Sequence, residues 1–406
     1  LTNKDKSSGI KKNHVATRRS FIKKIATGAA AGLAMPGQLP VSRAWAKESS
    51  QKDGRKLKYV GWMAGITHQQ SDGGIDRDTM MCLLDEMAEN KMNILSLLMQ
   101  ANGFYSLHQD GFCWPVQNPK LKHNWDASSI NGQAATEYVR EAIVAAADRG
   151  IEIQMFTSWG QWNPEKITKG YPTAKVRVTR KGEPSAWTHC ADSPGAWQAG
   201  LDEVADLLTY YNHPNVKSFG FETLRYGGTV CYCKYTQEAY RRDTGLSMLD
   251  ANRAQLNAWK TNQICRYLKK YVEHIHRIRP ELSVWLHTQC APGTGHDPAR
   301  LGNCGIECLL PYTLQRSLET KAQIHQKLER LSPNPCVLHF DTRAKDLPKY
   351  KIATKTPKII EQAIDGILEF PGNNLAGLMF WNRFTTPPRN LKAVYEQIKR
   401  FDWGQA

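Results

Sequence analysis

Eight short apolar runs recur along the chain, and the stretches between most of them have the length and periodicity of one helix. The runs are YVGWMAG (Tyr59–Gly65), ILSLLM (Ile94–Met99), IEIQMFTS (Ile151–Ser158), VKSFGFE (Val216–Glu222), LSVWLHT (Leu282–Thr288), GIECLLP (Gly305–Pro311), CVLHFDT (Cys336–Thr342) and LAGLMFW (Leu375–Trp381). Most lack polar alternation, as strands buried on both faces of a parallel sheet do. Between them, DTMMCLLDEMAENK (Asp78–Lys91) sets Met81, Leu84 and Met87/Ala88 on one helical face. TEYVREAIVAAADRG (Thr136–Gly150) ends on a stop glycine. Helix-period segments follow at Gly195–Tyr211, Ala254–Ile278, Glu319–Leu331, Pro357–Phe370 and Leu391–Phe401. Each such crossover is long enough for a right-handed βαβ unit. Only between the fifth and sixth runs is there little room, with GHDPARLGN (Gly295–Asn303) able to hold a brief helix. Eight β/α units predict an α/β chain folded as a single-domain (β/α)8 TIM barrel over residues 57–406. An open doubly wound sheet would be expected to carry a Gly-rich phosphate turn after strand one, and the GITHQQSDGG found there is not one.

Ahead of the barrel lies a segment of different character. Residues 1–46 hold nine Lys/Arg and one acid, Asp5, and so supply half of the formal charge of +16. The charge excess is therefore no basic patch, and nucleic acid is not an expected partner. TRRSFIKK (Thr17–Lys24), a weakly apolar Ile25–Leu39 and a closing Ala44-Trp45-Ala46 read as a secretory signal. The paired Arg18-Arg19 point to the twin-arginine translocation machinery as a partner. The expected boundaries are a signal peptide at 1–46, a polar linker at 47–56, and a mature chain in the periplasm or outside the cell. The apolar stretch is too short and too rich in Ala and Gly for stable membrane insertion. The ten cysteines show no small-scaffold disulfide pattern, and Cys82 and Cys265 read as packed thiols on apolar helix faces.

Chemistry in such barrels sits where strands run into the βα loops. That rule selects Trp62 and His68 from strand one, Asn102 after strand two, Trp159 and Trp162 after strand three, and Glu222 with Arg225 and Tyr226 from strand four. It selects His287 from strand five, Tyr312 from six, His339, Asp341 and Arg343 from seven, and Trp381 and Asn382 from eight. Glu222 and Asp341 come from opposite sides of the ring, and cleaving a glycosidic bond takes two carboxyl groups flanking it. The competing expectation is that each merely pairs with its neighbour, Arg225 or Arg343. Indole faces suit the C–H faces of a sugar ring, so the tryptophans favour a carbohydrate substrate, though some can equally fill the barrel. His68, His287 and His339 are open to hydroxyl binding, a metal triad or core packing; no H-x-H or H-E-x-x-H pattern links them. No cofactor and no metal is expected. A carbohydrate-binding barrel without catalysis, and a metal-dependent hydrolase of the same fold, are the alternatives to a glycosidase.

The segment HCADSPGAWQAGLDEVADLLTYYNHPNVKSFGFETLRYGGTVCYCKYTQEAYRRDTG (His189–Gly245) resembles one common in glycoside-hydrolase-like barrels distantly akin to α-L-fucosidases and β-galactosidases. It keeps Cys190, Pro194, Cys231, Cys233, Tyr240 and Gly245, and has Thr236 where the third cysteine of a C-x-C-x-x-C would stand. That departure argues against an obligatory metal. For retaining enzymes with acids on strands four and seven, the resemblance implies Glu222 as acid/base and Asp341 as nucleophile. Such enzymes usually place Asn before the strand-four acid, and here it is Phe221. In the fucosidase-like case Glu222 is itself the nucleophile, and the acid comes from a loop, with Asp192 or Asp297 as candidates.

Overall fold

The eight apolar runs form one closed parallel sheet in the computed structural model of the protein. The structure describes residues 57–66, 75–101, 111–124, 138–226, 230–291, 293–314, 318–343, 354–381 and 383–400. The leader and linker at 1–56 lie outside the described residues, as do His68, Asn102 and Asn382. The strands are β1 (Tyr59–Gly65), β2 (Ile94–Leu98), β3 (Glu152–Ser158), β4 (Val216–Glu222), β5 (Ser283–Leu286), β6 (Cys308–Leu309, resumed at Tyr312–Thr313), β7 (Cys336–Asp341) and β8 (Leu375–Trp381). Each pairs in parallel with its neighbours, and β8 returns to β1 to close the ring. Among the described residues no helix is long and apolar enough to cross a membrane.

Ten helices are described around or beside the barrel: α1 (Arg77–Glu89), α2 (Tyr138–Asp148), α3 (Pro164–Gly170), α4 (Pro194–Tyr210), α5 (Lys234–Thr244), α6 (Arg253–Ile278), α7 (Pro298–Leu301), α8 (Lys321–Leu331), α9 (Pro357–Leu368) and α10 (Pro388–Lys399). Their starts are chemically marked. Asp76 caps α1 by accepting from Thr79 N–H, and Asn252 and Thr320 open α6 and α8 with full capping boxes. Gly245 ends α5 in the left-handed conformation (φ 73°) that a Cβ would disfavour. The buried stripe of α1 is Met80, Leu83, Leu84 and Met87, one residue round from the face expected, and Cys82 is consequently exposed. Cys265 is buried as expected, and all ten cysteines are free. The described crossover from β5 to β6 holds α7, a single turn, followed by a 3-10 turn at Gly302–Cys304. Two antiparallel ladders not foreseen in the sequence, Gln100–Ala101 with Gly111–Phe112 and Val176–Val178 with Pro184–His189, follow β2 and β3.

Side chains alternate across each strand, so every strand feeds two cores. One face packs outward under the helices: Trp62, Leu97, Met155, Phe219, Phe221, Leu338 and Phe380 belong to the large outer cluster. The other fills the barrel: Met63, Ile94, Leu98, Phe156, Trp285, Cys308, Leu310, Val337, Met379 and Trp381. Inside, a polar strut crosses three strands, Ser96 Oγ donating to Gln154 Oε1 at 2.8 Å and Gln154 Nε2 to Ser218 Oγ at 3.2 Å. At the inward position two residues before Glu222 stands Gly220, where an added Cβ would come within 2.6 Å of the Phe156 ring. Phe156 therefore occupies the barrel interior directly below Glu222.

Candidate active site

The inward parity of the strands decides which side chains meet at the mouth. Ser158 pairs with Glu222 across β3 and β4, Tyr312 with His339 across β6 and β7, and Asp341 with Trp381 across β7 and β8. Paired residues on neighbouring strands point to the same side of a sheet. Glu222, His287, Tyr312, His339, Asp341 and Trp381 consequently line one cavity, with Met63, Leu98 and Phe156. Among the described residues, three of the four with positive φ at a non-glycine position lie past strands at this end: Thr223 (φ 70°), Cys290 (φ 47°) and Leu314 (φ 53°). A β-branched residue such as Thr223 in that region is strained by about 1–3 kcal/mol, and such strain gathers at sites where position matters. Thr223 is locked there by its hydroxyl, which donates to the Trp159 carbonyl, while Trp159 N–H donates to Glu222 O at 3.0 Å.

Glu222 is buried and receives three neutral donors. Ser158 Oγ gives to Oε1 at 2.8 Å, while His287 Nδ1 and Tyr312 Oη give to Oε2 at 3.1 and 3.2 Å. Burial opposes its charge, but the His287 N–H, the field of Arg225 and the Ser158 hydroxyl together hold the carboxyl down to about 2. His287 is lowered by burial despite its bond to Glu222, and His339 lies well below the usual imidazole range through burial and the nearby His287 and Arg343. His287 Nε2 meets His339 Nδ1 at 3.1 Å. The rings pack against one another in the wall: the Tyr312 and His287 centroids lie 3.7 Å apart with the planes tilted by 54°, and Trp381 stands edge-on to His339 at 5.7 Å.

Asp341 lies in different company. Arg343 grips both carboxylate oxygens through Nε, each at 3.1 Å, and through Nη2, and Lys355 Nζ stands 3.6 Å from Oδ1. The pairing expected as the alternative thus holds for Asp341 and Arg343. No ion pair joins Glu222 to Arg225 among the described residues; Arg225 is half-buried and acts on Glu222 through its field.

Several sequence-selected residues are elsewhere. Trp62 faces outward, with ring centroids 5.5 Å from Phe380 and 6.3 Å from Tyr395 of α10, because its inward neighbour is Met63. Trp159 lies one residue past the inward Ser158 and packs against Trp162 and Trp197 under α4. Trp162 donates its N–H to Glu203 of α4 at 2.8 Å, a carboxyl that burial pushes up to about 8. Tyr226 donates to Asp192 at 2.9 Å. Asp192 also accepts from Thr236, Gln263 and Tyr267, and Asp297 caps α7, so neither loop acid lines the cavity. Met63, Leu98, Phe156 and Lys355 were not selected from the sequence; only the register of the strands reveals the first three, and Lys355 reaches Asp341 from just before α9.

One further cluster has ligand chemistry. The sulfurs of Cys190, Cys231 and Cys233 lie within 4.8 Å of one another. Neighbouring thiols and the N–H groups of Cys233 and Val178 favour Cys231 as the thiolate of the trio. Thr236 Oγ1 is 3.2 Å from Cys190 Sγ and 3.4 Å from Cys233 Sγ, in the place of a fourth thiol. Three thiol ligands suit a zinc-like ion; a C-x-C by itself is a weak metal signal that needs further ligands, and Cys190 is the one the fold brings to it.

No family model and no curated protein matches the chain. Solved structures do. A β-galactosidase from the haloarchaeon Halorubrum lacusprofundi superposes with a TM-score of 0.61 at 11% identity, over 84% of this chain and 58% of that one. The glycoside hydrolase domain of PgaB (BpsB) from Bordetella bronchiseptica gives 0.61 at 12% identity, over 84% of this chain and 98% of that one. The catalytic domain of a β-amylase from Paenibacillus polymyxa gives 0.59 at 10% identity, over 86% and 100%. The chain thus has the (β/α)8 fold of glycoside hydrolases from several families, and spans little more than half the length of the β-galactosidase. At these identities the likeness is one of fold.

Proposed function

We propose that the protein hydrolyses an O-glycosidic bond, with Glu222 as the carboxylate that meets the anomeric carbon and Asp341 as the second carboxyl of the pair. The observation that carries this is the convergence of the two groups, from strands four and seven, on one cavity walled by Trp381 and Tyr312. A carboxyl held down to about 2 is a poor proton donor near neutrality and a good bearer of negative charge. That favours Glu222 as nucleophile or charge stabiliser over Glu222 as general acid. In the nucleophilic step its oxygen bonds to the anomeric carbon, the bond to the leaving oxygen breaks, and water later releases the sugar from the ester.

The test is turnover of a panel of nitrophenyl glycosides, whose leaving group departs without a proton. Glu222→Gln is expected to lower turnover by about 10⁴-fold with folding intact. Asp341→Asn leaves Arg343 and Lys355 without their anion and is expected to lower turnover of alkyl and nitrophenyl glycosides alike, because a carboxylate held by two cations does not serve as the proton donor. Full activity in both variants would refute the assignment. A second reading, a carbohydrate-binding barrel without catalysis, is favoured by the clamp of Arg343 and Lys355 on Asp341. It is supported instead if the wild type binds a sugar by calorimetry yet turns over no member of the panel.

A further inference from the structure

Behind Glu222 runs a chain of two imidazoles whose protons have no freedom of placement. Glu222 Oε2 meets His287 Nδ1, and His287 Nε2 meets His339 Nδ1, each at 3.1 Å. His339 Nε2 is buried and has no hydrogen-bond partner among the described residues, although the residue lines the cavity. An ionised carboxylate can only accept, so His287 must carry its proton on Nδ1. A neutral imidazole holds one such proton, which leaves His287 Nε2 as an acceptor. His339 must then donate from Nδ1, and its own Nε2 is left as a bare lone pair.

The alternative is a doubly protonated His287, which would donate from both nitrogens and reverse His339. The surroundings disfavour it. Both imidazoles are buried, with Phe156 edge-on to His287 at 5.7 Å and Trp381 edge-on to His339. Glu222 is the anionic neighbour that would reward a charge on His287, and burial outweighs it; the Arg343 guanidinium opposes any charge on His339. Buried acceptors without partners are costly, and one at the wall of a cavity is satisfied most simply by what fills the cavity.

We propose that His339 Nε2 is an acceptor-only contact for a hydroxyl of the bound ligand, and that Glu222 fixes it in that form through His287. His339 is thus a specificity-determining residue and His287 a positioning one. The accepting form follows from the hydrogen-bond chain itself; that the donor is a sugar hydroxyl rests on the glycosidase reading above. A ligand bringing an ether or carboxylate oxygen to this point would face the lone pair and be rejected, whereas a hydroxyl is accepted.

The test begins with the full chain labelled with ¹⁵N at histidine, read by long-range ¹H–¹⁵N correlation at neutral pH. His339→Gln and His287→Gln spectra supply the assignments. The expected result is a Nδ1–H tautomer at both residues, with His339 Nε2 unprotonated. A proton on His339 Nε2, or an imidazolium at either residue, in the wild-type spectrum overturns the proposal. In His287→Phe, His339 is expected to leave the pure Nδ1–H form, and an unchanged tautomer there would remove Glu222 from control of it. For the ligand, the nitrophenyl glycoside turned over by the wild type is compared with its monodeoxy analogues. One analogue is expected to lose about 10–100-fold in kcat/KM with the wild type, and far less with His339→Phe. Equal penalties in both proteins place the hydroxyl contact elsewhere and sink that part. If the wild type turns over no glycoside, the hydrolase reading is what fails, and the tautomer spectrum still decides whether His339 is held as an acceptor.

Discussion

Glu222 and Asp341 end strands on opposite sides of one ring, at 7% and 2% exposure, in opposite company. Glu222 is surrounded by neutral donors: a hydroxyl, a phenol and an imidazole N–H. Asp341 is held by a guanidinium with a lysine behind it. Neutral donors stabilise a carboxylate while leaving its net charge in the cavity, available to a developing positive centre. A cationic clamp cancels the charge locally and makes the carboxylate part of the wall. The difference teaches that burial and mouth position alone do not equalise two acids; what they accept from sets which one can act on a ligand.

Removing one donor from each side gives the largest expected contrast. Arg343→Met leaves Asp341 in the interior with Lys355 and the residue-343 backbone N–H as its described partners, and breaking a buried pair in this way costs about 3–5 kcal/mol. Ser158→Ala removes one of three donors to Glu222 and is expected to cost about 1–3 kcal/mol. Urea midpoints of the two variants measure this directly. Similar losses would mean that the clamp and the donor set are equivalent, and the comparison would break.

A smaller effect distinguishes Glu222 by pH. Its carboxyl is held at about 2 in the folded chain against 4.5 for an unperturbed group. A depressed folded value means stability that is fully present above 4.5 and is lost as the pH falls toward 2, amounting to about 3 kcal/mol. Chemical denaturation between pH 5 and 2 should therefore show the wild type losing stability faster than Glu222→Gln. Parallel losses would indicate that His287, Arg225 and Ser158 do not hold the carboxyl down.

The barrel itself was legible because eight strands buried on both faces leave eight apolar runs, all but the fifth followed by a segment of helical length. The break within β6 was not legible: GIECLLP is as apolar as its neighbours, and only pairing shows that Leu310 and Pro311 interrupt it. The strand-end rule reached Glu222, His287, Tyr312, His339, Asp341 and Trp381 because polar or aromatic residues at those ends stand out. It misplaced Trp62 for a physical reason. When the barrel interior and the helix layer are both apolar, inward and outward positions carry the same residue types, and parity is invisible until register is known. Trp159 and Trp162 failed differently, since their chain leaves β3 under α4, where Glu203 takes the Trp162 N–H. That helix acid lies in an amphipathic pattern that gives no hint of burial.

The smallest expected effect tests that parity. Trp62 and Trp381 are both indoles on adjacent strands, and the register places Trp381 opposite Met63 and Trp62 opposite Phe380. Neither is exposed, at 0% and 5%, so both lose packing on truncation to Phe, on the order of 1 kcal/mol by thermal or urea unfolding. They should part company on ligand. Trp62→Phe disturbs the contact of β1 with α10 and is expected to leave KM for a nitrophenyl glycoside within about two-fold. Trp381→Phe alters the wall beside His339 and Asp341 and is expected to raise KM by about 3–10-fold, the worth of part of one aromatic platform. A shift in KM for Trp62→Phe as large as that for Trp381→Phe would mean that ligand reaches the helix layer, and that the inner face of the ring is not where recognition occurs.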